Sequence, residues 1–225
     1  MALRALVVDY GGVLTNPLGD VLRDWAVAAG VDHDHYLALM RQWLLDGTVV
    51  NPSHALERGE IGVQEFEREL APLLRRTDGG PVEPDGLLTA MLSGMTTGVG
   101  GMVAVVRRAR DHGLRTGLLS NSWGLDYDRQ DWDLLFDAIV ISGEVGLRKP
   151  ERAIYQLAAD RLGVEPAECV FVDDLPPNVR GAAAAGMVGI HHEDLTTTVD
   201  ELETLFGLPF HDPAPEPGAF SPGSA

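Results

Sequence analysis

Lysine is almost missing from this chain. Of its 225 residues, 17 are lysine or arginine, and every one of these except Lys149 is arginine. A lysine kept once suggests a place where a compact point charge is needed and a guanidinium fork does not fit, although chance would leave the same trace. Cysteine is as scarce: Cys169 stands alone, so no internal disulfide can form, and a reducing cytoplasm is the expected setting. Cys169 opens the apolar run CVFV and reads as a buried structural thiol. Positive charge is in deficit overall, with a formal net charge of −17. That argues against nucleic acid or an anionic membrane surface as partner, since both require a positive footprint. No run is long and apolar enough to span a bilayer. The N-terminal apolar run stops at Asp9 without a small-residue cleavage site, so it does not read as a signal peptide. What remains, 45% hydrophobic and 6% aromatic, is the composition of a soluble globular protein with a sizeable core. The length allows one large domain or one domain with a modest insertion.

The opening stretch Leu3 to Thr15, LRALVVDYGGVLT, is a short β-rich apolar run that ends in one carboxylate, Asp9, followed by Gly11 and Gly12. This is the pattern of a buried parallel strand delivering an acidic side chain to the mouth of a sheet. A charge there costs free energy unless it is paired or binds a metal. A strand-end Asp that starts an Asx-turn would read the same way.

Residues 16–101 carry helical patterns. Val21, Leu22, Trp25 and Val27–Ala28 form one stripe, with Gly30 as its stop; Leu37, Met40, Trp43 and Leu44 form a second; Ile61, Phe66, Leu70 and Leu73–Leu74 form a third. These stripes read as packing surface rather than a cofactor box. DGGPVEPDG, from Asp78 to Gly86, reads as a loop. Beyond residue 101 the rhythm changes to alternating helix and strand. The expected strands are RTGLLS ending in Ser120, AIVIS from Ala138 to Ser142, ECVFVDD ending in Asp173–Asp174, and MVGIHH. The expected helices are MVAVVRRARDHG, YDRQDWDLLF, ERAIYQLAADRLG with Pro150 near its start, PPNVRGAAAAG, and VDELETLFG. This alternation predicts an α/β fold with a doubly wound parallel sheet, Rossmann-like, and helices on both faces. The expected division is a core of residues 1–15 and 102–210, an all-helical insertion of residues 16–101, and a disordered Pro/Gly/Ser-rich tail of residues 211–225.

In such a sheet ligands bind beyond the carboxyl ends of the strands. Asp9, Ser120, Asn121, Asp173 and Asp174 all fall at strand ends, and Lys149 falls on the loop after the third strand. A single Ser or Asp there is usually a turn former or a helix cap, but capping alone does not account for the coincidence of all of them with the one lysine. The set suits phosphoryl transfer through a covalent aspartyl phosphate, in which a carboxylate nucleophile divides hydrolysis into two easier steps. Mg²⁺ suits the charge to be neutralised, with Asp9 and Asp174 sharing it and Asp173 orienting the site. Lys149 would neutralise the phosphate, and Ser120 with backbone N–H groups would hold its oxygens.

These residues resemble the motifs of the haloacid dehalogenase superfamily. DYGGV resembles the first motif, Asp-x-Asp-x-(Thr/Val), except at its third place; LLSN resembles the second, GLRKPE the third and FVDDLPPN the fourth. The order matches, and the likeness extends from about Leu3 to Phe210. The wording is most similar to the subgroup around the phosphatase domain of bifunctional epoxide hydrolase. The resemblance implies a sheet of strand order 5-4-1-2-3, a helical cap over the site, and a Mg²⁺ site that includes a backbone carbonyl at Gly11. It also implies small phosphorylated substrates. The family's second Asp, which protonates the leaving group and later activates water, is Gly11 here. Such general acid–base help is worth roughly 10²–10⁴-fold.

Three readings follow: a Mg²⁺-dependent phosphatase of a small phosphorylated metabolite; a binding or regulatory protein that lost turnover with the second Asp; and a 2-haloacid dehalogenase, which also lacks that Asp but needs no metal. Trp123 reads equally as substrate-facing or as core. None of the seven histidines reads as a ligand, and His112 reads as a complement to a helix dipole.

Overall fold

The structure, a computed structural model, describes residues 2–45, 51–97, 101–124 and 126–211, with the side chains of 44 and 45 set aside. The expectation for Leu44, and that for the tail beyond residue 211, lie outside the described residues.

The chain opens with β1 (Ala5–Val8) and then runs through α1 (Leu18–Ala29), α2 (His33–Leu45), α3 (Pro52–Glu57), α4 (Val63–Leu70) and α5 (Leu87–Leu92). It continues as α6 (Met102–Asp111), β2 (Arg115–Ser120), α7 (Trp132–Leu135), β3 (Ala138–Ile141), α8 (Ser142–Val145) and α9 (Arg152–Leu162). It closes with β4 (Cys169–Asp173), α10 (Pro176–Ala185), β5 (Val188–His191) and α11 (Leu195–Phe206). The five strands form one parallel sheet of order β3-β2-β1-β4-β5; counted from the β5 edge this is 5-4-1-2-3.

Strand side chains alternate between faces, and each face feeds its own core. Leu6 and Val8 of β1 join Leu118, Val170 and Val172 in a cluster with Met102, Val105, Val199 and Leu202 from α6 and α11. Ala5 and Val7 point the other way, into a cluster with Leu119, Phe171, Ile154, Tyr155 and Ala182 from α9 and α10. With both faces covered, β1 is apolar throughout, as a central parallel strand must be. A third cluster lies within α1–α5, built from Trp25, Tyr36, Trp43, Phe66, Leu70 and Met91 among others. The two connections between this helical segment and the sheet run side by side: Asn16 Nδ2 donates to Gly94 O at 3.0 Å, and Thr96 N–H donates to Asn16 Oδ1 at 2.9 Å.

Several expected boundaries move. Val27 leaves the α1 stripe and is 75% exposed; Ala26 takes its place in the core. The expected helix YDRQDWDLLF shrinks to the four residues of α7, because Asp131 before it adopts φ 62°, a left-handed conformation that breaks a helix. Ser142 opens α8 rather than closing β3, and α9 starts at Arg152, with Pro150 just before its cap residue Glu151. Asp174 falls one residue beyond β4. The last helix starts four residues early, at Leu195, because the Asp194 side chain accepts from Thr197 N–H and caps it.

Candidate active site

Parallel register sets the site. Val8 pairs with Leu118 on one side and with Val172 on the other, and Asp9 N–H donates to Val172 O at 2.9 Å. The next step along β1 and β4 therefore brings Asp9 level with Asp173 at the carboxyl edge of the sheet. Lys149 reaches between them. Its Nζ lies 2.8 Å from Asp9 Oδ1 and 2.6 Å from Asp173 Oδ2, and the side chain is 1% exposed.

Asp173 is held from the other side. Its carboxylate accepts from Asn178 Nδ2 at 2.9 and 3.1 Å and from Leu175 N–H at 2.9 Å. Both donors come from the start of α10, so the helix N-terminus and the lysine together satisfy a buried charge. Asp9 Oδ1 also accepts from Tyr10 N–H at 2.7 Å. Asn121 brackets the lysine: Lys149 N–H donates to Asn121 Oδ1 at 2.9 Å, and Asn121 Nδ2 donates to Lys149 O at 3.1 Å. Buried Ser120 shares a 2.9 Å hydrogen bond with the hydroxyl of Tyr127.

Three carboxylates converge here, since oxygens of Asp9, Asp173 and Asp174 lie within 4.8 Å of one another. Burial pushes the Asp9 carboxyl up to about 8; the charges of Asp173 and Asp174 add to this, and Lys149 opposes it. Burial and the charge of Asp173 push Asp174 up to about 6. Burial works to lower the pKa of Lys149, but the charges of Asp173 and Asp9 outweigh it and hold the ammonium protonated. One ammonium thus faces three acidic groups, two of which resist ionising. That oxygen-only, over-acidic donor set fits a hard divalent cation such as Mg²⁺.

The two glycines beside Asp9 differ. Gly12 has φ +74°, and a Cβ there would lie 2.2 Å from Asp174 Oδ2, so this position needs glycine both for its backbone and for its space. Gly11 does not take positive φ, and an added Cβ meets nothing within 4 Å.

Every residue expected at the site sits at the carboxyl edge of the sheet. Asp9, Lys149 and Asp173 touch directly, Asp174 lies within a metal's reach of the other two carboxylates, and Asn121 touches Lys149 through its backbone. Tyr127 was not anticipated. Its ring stands edge-on to Tyr10 and Trp132, at 5.0 and 5.5 Å, and burial raises its pKa so that the phenol stays protonated. Beside it a cleft of about 480 Å³ opens between α3–α4 and the stretch after β2, with Leu56, Ile61, Val63, Ser122 and Arg129 in its wall. Trp123 is half-buried against the helical cluster, its ring 6.2 Å from Phe66. His112 ends α6, with Nε2 2.9 Å from Pro209 O.

A family model described as "Hydrolase: haloacid dehalogenase-like hydrolase" matches residues 3–186. "Acyl-CoA dehydrogenase family member 10" of Mus musculus is 30% identical over 92% of this chain, and "Bifunctional epoxide hydrolase 2" of Rattus norvegicus is 28% identical over 99% of it. The chain spans only 20% and 42% of the lengths of those two proteins. "Sesquiterpene phosphatase astK" of Aspergillus oryzae is 30% identical, over 91% of this chain and 97% of its own. Among solved structures, a wild-type HAD-family enzyme of Bacteroides thetaiotaomicron in complex with magnesium and inorganic phosphate is similar in fold. Its TM-score is 0.58 at 20% identity, over 88% of this chain and 99% of its own.

Proposed function

The chain belongs to the haloacid dehalogenase-like hydrolases, and on that footing we propose that it is a Mg²⁺-dependent phosphatase of a small phosphorylated metabolite. The observation that carries this reading is Lys149, the sole lysine, buried between Asp9 and Asp173 with Asp174 beside them. Phosphatases among the relatives support the same class.

Asp9 is the nucleophile. Its carboxylate oxygen attacks phosphorus as the P–O bond to the ester oxygen breaks, the leaving oxygen takes its proton from water since Gly11 offers none, and a second water hydrolyses the aspartyl phosphate to inorganic phosphate and free Asp9. Lys149 keeps Asp9 oriented and offsets charge on the transferred group. Ser120 and Asn121 hold phosphate oxygens, with the Tyr127 hydroxyl fixing the rotamer of Ser120. Asp9, Asp174 and the backbone of Gly11 would hold Mg²⁺, with Asp173 orienting the set; the cation supplies neutralisation of the phosphate charge and alignment of its oxygens. The helical segment of residues 16–101 acts as a cap. The single cysteine, buried in β4, suits a cytoplasmic setting, and the net charge of −17 does not suit nucleic acid.

Gly11 supports a second reading, a binding or regulatory protein without turnover. The three convergent carboxylates weigh against a metal-free 2-haloacid dehalogenase. A panel of phosphate monoesters, assayed with Mg²⁺ and with chelator alongside chloride release from a 2-chloroacid, separates all three. Mg²⁺-dependent phosphate release is expected. Phosphate or Mg²⁺ binding without turnover would favour the second reading, and chelator-resistant chloride release the third.

A further inference from the structure

Glu57 is a carboxylate from the end of α3, in the helical segment, yet it lies buried at 8% exposure against the sheet domain. It is ion-paired with Arg148 Nε. Arg148 precedes Lys149 in the chain, and Asn121 holds both backbone polar groups of Lys149. The backbone joins in. The Ser142 hydroxyl donates to Glu57 O and accepts from Ser122 N–H at 2.7 Å. Arg58, the next residue, is paired with Glu151, whose other oxygen accepts from Arg148 N–H at 3.4 Å. The end of α3 is therefore fastened to the two loops that present Asn121 and Lys149. These fastenings lie apart from the Asn16–Thr96 connection.

We propose that Glu57 is a positioning residue for Lys149: through its pair with Arg148 and its carbonyl on Ser142 it ties α3 to the lysine loop, so that Lys149 stays seated between Asp9 and Asp173 only while α3 is docked. The consequence for turnover rests on the phosphatase reading above; the mechanical coupling does not. A buried pair left without one partner disturbs its surroundings strongly, so the loss of Glu57 is felt at the loop it holds.

The composition supplies two reporters. Lys149 is the only lysine and Cys169 the only cysteine, the latter fully buried in β4 and away from this network. The test is the rate of reductive methylation of Lys149, mapped by mass spectrometry, beside maleimide labelling of Cys169, in the full-length protein. Glu57→Gln should label Lys149 about tenfold faster, the size expected when directly coupled side chains are parted, while Cys169 stays at the wild-type rate. Ser142→Ala removes the neutral tie between Glu57 O and Ser122 N–H, loosening the same end of α3 without unpairing a buried charge, and must show the same split. Unchanged Lys149 labelling in both variants overturns the proposal. So does a parallel rise of Lys149 and Cys169 in both, which marks global destabilisation. A wild-type protein silent on every phosphate ester would sink the phosphatase reading while leaving this comparison intact.

Discussion

Gly11 is where the site departs from the motif it otherwise resembles, and its surroundings say what restoring the missing acid would do. Open space around an added Cβ and a backbone outside the left-handed region mean that the backbone at Gly11 takes a side chain without strain. Gly11→Asp should raise kcat on alkyl phosphates, whose leaving groups need a proton, by about 10²-fold. It should change little on an aryl phosphate with a good leaving group. Equal rates for variant and wild type on alkyl phosphates would show that proton supply does not limit turnover. Asp9 carries a second prediction at this scale. With its carboxyl pushed up to about 8, it is largely protonated near neutrality, and a cation must displace that proton to bind. Mg²⁺ affinity should therefore rise with pH through the range below about 8. Calorimetry near neutral pH should give binding enthalpies that depend on the ionisation heat of the buffer. Enthalpies independent of buffer would contradict the raised carboxyl.

The turn after β1 depends on Gly12, whose lack of a Cβ leaves room for the Asp174 carboxylate. Gly12→Ala should cost roughly 1–2 kcal/mol from its left-handed backbone alone, and the clash with Asp174 Oδ2 should weaken Mg²⁺ binding as well. Thermal unfolding and Mg²⁺ titration check this; unchanged Mg²⁺ affinity would count against Asp174 as a ligand. At the scale of elements the sequence was readable wherever one period dominated. The continuous apolar runs of β1 and β4 and the Gly30 stop of α1 appear where expected. It was less readable where a single residue decides an end. Asp194 extends α11 through one side-chain hydrogen bond, and Asp131 shortens α7 through one backbone angle, and neither leaves a mark in the hydrophobic pattern. Val27 is apolar and falls near the right face, but one place along, Ala26 faces the core instead.

Across the whole molecule, the residues that meet around Lys149 were legible because topology places every strand's carboxyl end on one edge. Strand ends can be counted along a sequence. Glu57 and Tyr127 were not legible. Glu57 reaches the lysine loop only after a six-residue helix has docked on the sheet domain, and Tyr127 opens a stretch read as helix that is irregular up to Asp131. Both contribute polar contacts of high sequence separation or irregular path, which periodicity does not encode. No helix among the described residues is long and apolar enough to cross a membrane. The proposed phosphatase chemistry is covalent and sits at the carboxyl edge of the sheet. The decisive measurement is acid quench of the protein during Mg²⁺-supported hydrolysis of a phosphate ester, followed by peptide mass mapping. A phosphoryl group is expected on the peptide that contains Asp9, lost together with phosphate release in Asp9→Asn. Undiminished phosphate release by Asp9→Asn would contradict this chemistry.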